Sequence, residues 1–192
     1  MDGIAAEKFA LRKAMLAQRA AILPVMRDAA AAALARFAPD LALLAGDAML
    51  SGFCSFRDEI DTMPLLEALA ALGHPLALPC VEGPHLVFHT WRPGDRLVTG
   101  RYGMPEPVAD TPVVQPGLML VPLLAFDRAG HRIGYGGGFF DRVLADNPSA
   151  MTVGLAFGLQ EVANVPTEPH DQPLDMVLTE AGLIDCRSGS RD

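Results

Sequence analysis

Apolar residues along this chain recur with two different periods, and the alternation between those periods sketches an α/β fold. Over residues 4–22, Phe9, Leu11 and Leu16 are apolar, whereas Lys8, Arg12 and Arg19 are spaced four and seven apart and share one helical face. Pro24 ends that helix. Residues 25–37 are alanine-rich, which favours a second helix packed closely on a neighbour, with Pro39 closing it. Ala48 to Phe56 reads as a short buried strand. The polar stretch Arg57-Asp58-Glu59-Ile60-Asp61-Thr62 follows, and then an amphipathic helix runs to about Leu72, with Leu65, Leu66, Leu69 and Leu72 apolar and Asp61 or Thr62 as N-cap. An acidic loop between a strand's C-terminal end and a helix is also where open α/β sheets bind ligands.

Residues 76–81 and 86–91 read as strands around a Glu82-Gly83-Pro84 turn. Thr99 to Pro107 is too rich in glycine and proline for regular structure and reads as a long loop, a common place for binding residues. An apolar run from Leu118 to Phe126 leads into the turn Asp127-Arg128-Ala129-Gly130. Met151 to Phe157 is a further strand, 165–173 is irregular, and Leu174 to Glu180 is a final strand interrupted by Asp175. A carboxylate among apolar residues is costly unless it is paired or bound to a cation. The residues after Cys186 read as a tail. With neither a repeat nor a low-complexity linker, residues 1–192 are expected to form one domain. The expected architecture is three-layer α/β/α, with a mostly parallel central sheet and helices on both faces. The two N-terminal helices would share one side, and the site would lie beyond the C-terminal ends of the strands.

Composition narrows the function. About half of the residues are hydrophobic (51%), enough for a substantial core. The net charge of −8 argues against nucleic acid and anionic membranes as partners, but a local basic pocket still suits a small anion. The three cysteines, Cys54, Cys80 and Cys186, are far apart, which excludes a CxxC zinc site or a disulfide framework and fits a reducing, cytoplasmic setting. No His/Cys spacing supports a transition metal at His131 and His170. The N-terminus lacks the apolar core of a signal peptide, and no run is long enough to span a membrane.

The stretch that promises chemistry is Arg132-Ile133-Gly134-Tyr135-Gly136-Gly137-Gly138-Phe139-Phe140-Asp141-Arg142. A strand, a glycine loop and a helix start gather free backbone N–H groups and a positive dipole end at one place, as phosphate sites do. It is neither a Walker A loop nor the dinucleotide fingerprint, because no Gly-Lys-Ser/Thr follows and Phe stands at 139. The glycines alone equally suit a loop that needs positive φ and binds nothing. Arg132 and Arg142 beside it can neutralise phosphate, and Asp141 in the first helical turn can cap the helix or hold Mg²⁺.

Taken in order, Lys8 with Arg12, Asp58-Glu59-Ile60-Asp61-Thr62, Tyr102-Gly103-Met104-Pro105-Glu106-Pro107, the glycine stretch, and His170-Asp171 with Asp175 and Thr179-Glu180 resemble the 5-formyltetrahydrofolate cyclo-ligase family over residues 8–180. That resemblance implies an ATP- and Mg²⁺-dependent enzyme of one-carbon metabolism that closes 5-formyltetrahydrofolate to 5,10-methenyltetrahydrofolate. It implies that Lys8, Arg12 and Arg132 act on the ATP phosphates, cradled by the backbone from Ile133 through Gly134, Tyr135, Gly136, Gly137 and Gly138 to Phe139, Phe140 and Asp141. Asp141 and Asp175 would hold Mg²⁺. Glu59 would accept hydrogen bonds from the pterin, Cys54 would line its pocket, and Tyr102 and Met104 would contact the folate, together with Gly136, Gly137, Gly138, Phe139 and Phe140. His170 and Asp171 match the family pattern as support for the Asp175 segment. The family usually carries tyrosines where this chain has Phe139 and Phe140, so the rings remain and the hydroxyls are gone. A non-catalytic folate or nucleotide binder of the same fold is the alternative that this departure leaves open. A sugar-phosphate isomerase using the same loop is another, but it would leave Asp141 and Asp175 without a purpose.

Overall fold

The structure, a computed structural model, describes residues 3–187. The elements run α1 (Gly3–Ala20), α2 (Pro24–Ala35), α3 (Ala38–Ala45), β1 (Leu50–Ser51), α4 (Met63–Ala71), β2 (Leu76–Glu82), β3 (His85–Trp91), β4 (Leu97–Thr99), β5 (Pro105–Pro107), β6 (Val113–Val114), β7 (Leu118–Pro122), β8 (Ala125–Phe126), β9 (Arg132–Ile133), α5 (Phe139–Asp146), β10 (Met151–Leu155), β11 (Met176–Thr179) and β12 (Gly182–Asp185). The main sheet has the order β12-β11-β10-β7-β1-β2-β3-β6. Its central strands β11, β10, β7, β1 and β2 are parallel, and β12, β3 and β6 pair antiparallel at the two edges.

The apolar runs are continuous because both faces of this sheet are covered. Along β7, Leu118 and Leu120 join the core under α2, α3 and α4, whereas Met119 and Val121 join the core on the other face, which α5 covers through Val143 and Leu144. β11 divides in the same way, with Met176 and Leu178 on one face and Val177 on the other. This is the expected mostly parallel α/β sheet with helices on both faces.

Four local expectations are corrected. Pro39 does not close α2; it sits in the first turn of α3, where a missing N–H costs nothing and the fixed φ suits the helix. The strand expected over residues 48–56 narrows to β1, and the residues after it form the site loop. The stretch 99–107 is a hairpin tip: β4 and β5 pair antiparallel, and the Gly100 N–H donates to Met104 O at 2.8 Å. Finally, α1 does not share a sheet face with α2. Its Met15 packs with Leu124, Ala125, Ile133 and Val165, around the β8–β9 hairpin. Of the expected tail, 188–192 lies outside the described residues.

The β8–β9 hairpin is the platform for the glycine loop. Asp127 closes its turn by accepting from the N–H groups of Ala129 at 3.0 Å and His131 at 3.1 Å, and it pins a distant segment through Val165 N at 3.0 Å. Gly130 is required there: its φ is +86°, and a Cβ would lie 2.3 Å from Leu174 O.

Candidate active site

A cavity of about 620 Å³ opens at the carboxyl ends of β1, β2 and β7. Every residue from Arg132 to Asp141 lines it, as do Lys8, Arg12, Cys54, Glu59, Tyr102 and Met104. Of the candidates named from the sequence for phosphate, folate or Mg²⁺, Arg142 and Asp175 do not line it; Arg142 instead donates to Pro84 O and Gly137 O, both at 3.0 Å.

One wall is built by charge. Arg12 reaches from α1 and donates Nε–H to Gly134 O at 2.9 Å, tying the helix to the glycine loop. Gly136 and Gly138 have φ of +96° and +64°, and Gly138 is the N-cap of α5 with no side chain capping the helix. The first N–H groups of α5 therefore stay available beside the cavity. Arg132, only 8% exposed, donates Nη2–H to Asp141 Oδ1 at 2.7 Å and Nη1–H to Gln172 O. Burial lowers the Arg132 pKa, and Asp141 opposes the shift. Lys8 is also buried, and its Nζ lies 2.5 Å from Asp171 Oδ2 and 2.7 Å from Glu168 Oε2. Burial works against the Lys8 charge, but the bonds to Asp171 and Glu168 outweigh it and raise the pKa overall. Burial likewise pushes the Asp171 carboxyl upward, and Lys8 together with the Glu168 N–H and His170 more than reverses this.

The opposite wall is built by shape. The loop after β1 carries Phe53, Cys54, Phe56 and Glu59. It is braced by Ser55, whose hydroxyl donates to Ile60 O at 2.6 Å, and by Thr62, whose hydroxyl donates to Phe53 O at 2.5 Å. Thr62 is the N-cap of α4, and Asp61 just before it accepts from Met63 N at 3.0 Å. Arg57 (φ 55°) is the one non-glycine among the described residues with positive φ, a local strain of the kind that collects at binding sites. Glu59 Oε2 accepts from Phe56 N at 2.8 Å. Burial raises the Glu59 pKa, opposed by Phe56 N–H, Arg19 and Tyr135. Burial, aided by Asp61, pushes the Cys54 thiol up to about 11, so Cys54 is a neutral lining group. From the β4–β5 tip, Tyr102 meets Phe139 edge to face with ring centroids 5.7 Å apart, which joins the two walls.

Asp175 belongs to the framework. Its Oδ2 accepts from Thr152 N at 2.8 Å and Thr152 Oγ1 at 2.9 Å, and its own N–H donates to Thr152 Oγ1 at 2.8 Å. That exchange joins the starts of β10 and β11, so the expected Asp141–Asp175 pair is not brought together. The carboxylate that does reach the cavity is Asp171, with Glu168 and His170 grouped beside it. His170-Asp171 was visible in the sequence, but which of two acids four residues apart meets Lys8 depends on where α1 lands. Arg19, which donates to the Tyr135 hydroxyl and whose charge acts on Glu59, also carried a signal: it continues the Lys8–Arg12 face.

An open, mostly parallel sheet with a large ligand cavity at its strand ends, floored by a glycine loop and a helix N-terminus, defines an α/β enzyme. The model of the 5-formyltetrahydrofolate cyclo-ligase family matches residues 4–180, and the chain belongs to that family. It is 38% identical over 136 residues to the 5-formyltetrahydrofolate cyclo-ligase of Escherichia coli K12, covering 66% of this chain and 75% of the relative. It is 30% identical over 193 residues to the Mycolicibacterium smegmatis cyclo-ligase, covering 94% and 97%. The NMR structure of Aquifex aeolicus 5,10-methenyltetrahydrofolate synthetase superposes with a TM-score of 0.80 at 28% identity, covering 94% of this chain and 93% of that one. Among the described residues, no helix is long and apolar enough to cross a membrane.

Proposed function

We propose that this enzyme closes 5-formyltetrahydrofolate to 5,10-methenyltetrahydrofolate at the expense of ATP. The observation that carries the reading is that both walls face one cavity: Arg12, Arg132 and the glycine loop on one side, Glu59 and the aromatic pocket on the other. The relatives' names supply the substrate, and the charged wall supplies the reason for ATP.

The formyl group on N5 is an amide, and its oxygen is a poor leaving group. That oxygen attacks the γ-phosphorus, the γ-phosphorus bond to the bridging oxygen breaks, and ADP departs. N10 then attacks the activated formyl carbon to form the second C–N bond. The carbon–oxygen bond breaks, and phosphate leaves with the formyl oxygen and accepts the N10 proton. Such a transfer asks for positioning and charge neutralisation. Arg132 and Arg12 supply fixed positive charge, and the N–H groups around Gly136 to Phe139 cradle the phosphates. The carboxylates now paired with Lys8 and Arg132 hold those cations in place until polyphosphate replaces them. Glu59 accepts from the pterin donors, and Tyr102, Met104, Phe139 and Phe140 enclose the rings.

The residues present fit magnesium. Asp141 Oδ1 is engaged, but among the described residues no donor reaches Oδ2, and Asp171 and Glu168 add hard oxygens in the same cavity. Asp141 and Asp171 would hold the ion, and when bound it would neutralise phosphate charge.

Mixing the protein with 5-formyltetrahydrofolate and Mg-ATP and following the near-ultraviolet absorbance of the methenyl product tests this reading. A rise that requires both ATP and Mg²⁺ is expected. Folate binding with no rise would overturn it in favour of a non-catalytic binder and direct attention to Phe139 and Phe140.

A further inference from the structure

Arg19 is among the largest fully buried side chains, at 1% exposure, and it is a cation. It donates Nη2–H to the Tyr135 hydroxyl at 2.5 Å and Nη1–H to Leu123 O at 3.5 Å. Its Nε has no partner among the described residues, and its guanidinium carbon lies 5.6 Å from the Tyr135 ring centroid. A buried guanidinium without counter-charge is costly. The compensating charge lies one group away: the Tyr135 hydroxyl that accepts from Arg19 shares the cavity with the Glu59 carboxylate and acts on it. The chain Arg19–Tyr135–Glu59 thus runs from α1, through the glycine loop, to the loop after β1, linking both walls of the cavity.

We propose that Tyr135 and Arg19 are positioning residues for folate recognition: the phenol, held by the buried guanidinium, orients the Glu59 carboxylate as an acceptor in the shared cavity. The proposal rests on Glu59 being the acceptor for the pterin. A pterin presents adjacent N–H donors on one edge, and an ionised carboxylate accepts two such donors where a protonated one cannot. Among the described residues, Phe56 N–H from its own loop, Tyr135 from the glycine loop and Arg19 from α1 act on Glu59. Burial pushes Glu59 toward the neutral acid, and these three oppose it. Tyr135 stays a donor, because burial and the nearby Glu59 charge push its own pKa up to about 12. Removing the phenolic O–H therefore leaves burial less opposed, and Glu59 takes up its proton at higher pH.

The test is the dissociation constant of 5-formyltetrahydrofolate, measured calorimetrically between mildly acidic and mildly alkaline pH for the wild type, Tyr135→Phe, Arg19→Lys and Glu59→Gln. Ratios to the wild type at each pH cancel the ligand's own titration. In Tyr135→Phe, affinity is expected to begin falling at higher pH than in the wild type and to reach roughly a tenfold deficit on the acid side, about 1.4 kcal/mol. On the alkaline side the two should converge. Arg19→Lys should shift the acid limb in the same direction but by less than Tyr135→Phe, because lysine keeps the charge but loses the fork. Glu59→Gln should be weakened throughout, with a flattened profile. An unmoved acid limb in folded Tyr135→Phe would overturn the positioning role while leaving Glu59 as the acceptor. Wild-type affinity in Glu59→Gln would instead overturn the underlying assignment of Glu59. A deficit in Tyr135→Phe that is equal at every pH would reduce Tyr135 to a packing residue and also refute the proposal.

Discussion

The two walls of the cavity solve different problems with different materials. The glycine-loop wall is held by charge-assisted bonds from distant elements: Lys8 to Asp171 and Glu168, Arg132 to Asp141, and Arg12 to Gly134 O. The wall after β1 is held largely by short bonds within one loop, at Phe56, Ser55 and Thr62, with one outside tie from Arg27 of α2 to Asp58, and its lining is mostly apolar. In the proposed reading a polyphosphate concentrates negative charge on one wall, so each fixed cation there counts. In the same reading a fused ring is recognised by shape and a few donors, so the other wall would depend on one carboxylate held in one orientation.

This difference is sharpest when one cation is deleted. Arg132→Ala should cost about 1.5–3 kcal/mol in kcat/KM for ATP, a factor of roughly 10 to 150, because it removes a charge-assisted donor and leaves Asp141 unpaired. A wild-type value would remove Arg132 from the site. Next come the two acids. Asp171→Asn should raise the Mg²⁺ concentration needed for half-maximal rate several-fold, whereas Asp175→Asn should leave that titration unchanged and lower the melting temperature by weakening the Thr152 exchange, about 0.5–1.5 kcal/mol. The reverse pattern would restore Asp175 to the metal site. Glu59→Gln should raise KM for the folate by more than KM for ATP. An equal loss of both would mean a folding defect and would erase the distinction between the walls.

The smallest effect is on stability against pH. The Asp171 pKa is held below its ordinary 3.8, so its contribution is complete above that value and is lost as pH falls below it. The Lys8 pKa is raised above its ordinary 10.5, so its contribution is complete below that value and is lost as pH climbs past it. Melting temperature in Lys8→Met should accordingly show a shallower fall at both extremes than the wild type, and parallel curves would deny the pair any stabilising role.

How far the sequence could be read follows the same division. The glycine loop, the start of α5 and the buried strands β7 and β10 were legible because their signals are local: glycines, a period and an apolar run. The sheet with helices on both faces followed from them. The α3 helix was not legible, because Pro39 serves equally as a stop and as a first-turn residue. The β4–β5 pairing was hidden under prolines that suit a short edge hairpin as well as a loop. Asp175 misled for a physical reason: an acid among apolar neighbours does demand a partner, and Thr152, more than twenty residues away in sequence, supplies it. Arg19 shared the basic face of α1 with Arg12, but only the fold brings it under Tyr135 and so to Glu59.

The central claim is that the walls bring the γ-phosphate onto the formyl oxygen. The most direct test uses 5-formyltetrahydrofolate carrying oxygen-18 in the formyl group, turned over with Mg-ATP, with the released phosphate read by the isotope shift in its phosphorus NMR signal. Phosphorylation of the formyl oxygen predicts that the label leaves in inorganic phosphate, one atom per turnover. Unlabelled phosphate, with the oxygen-18 recovered in water, would mean that the oxygen is expelled without ever being phosphorylated, and would contradict the claim.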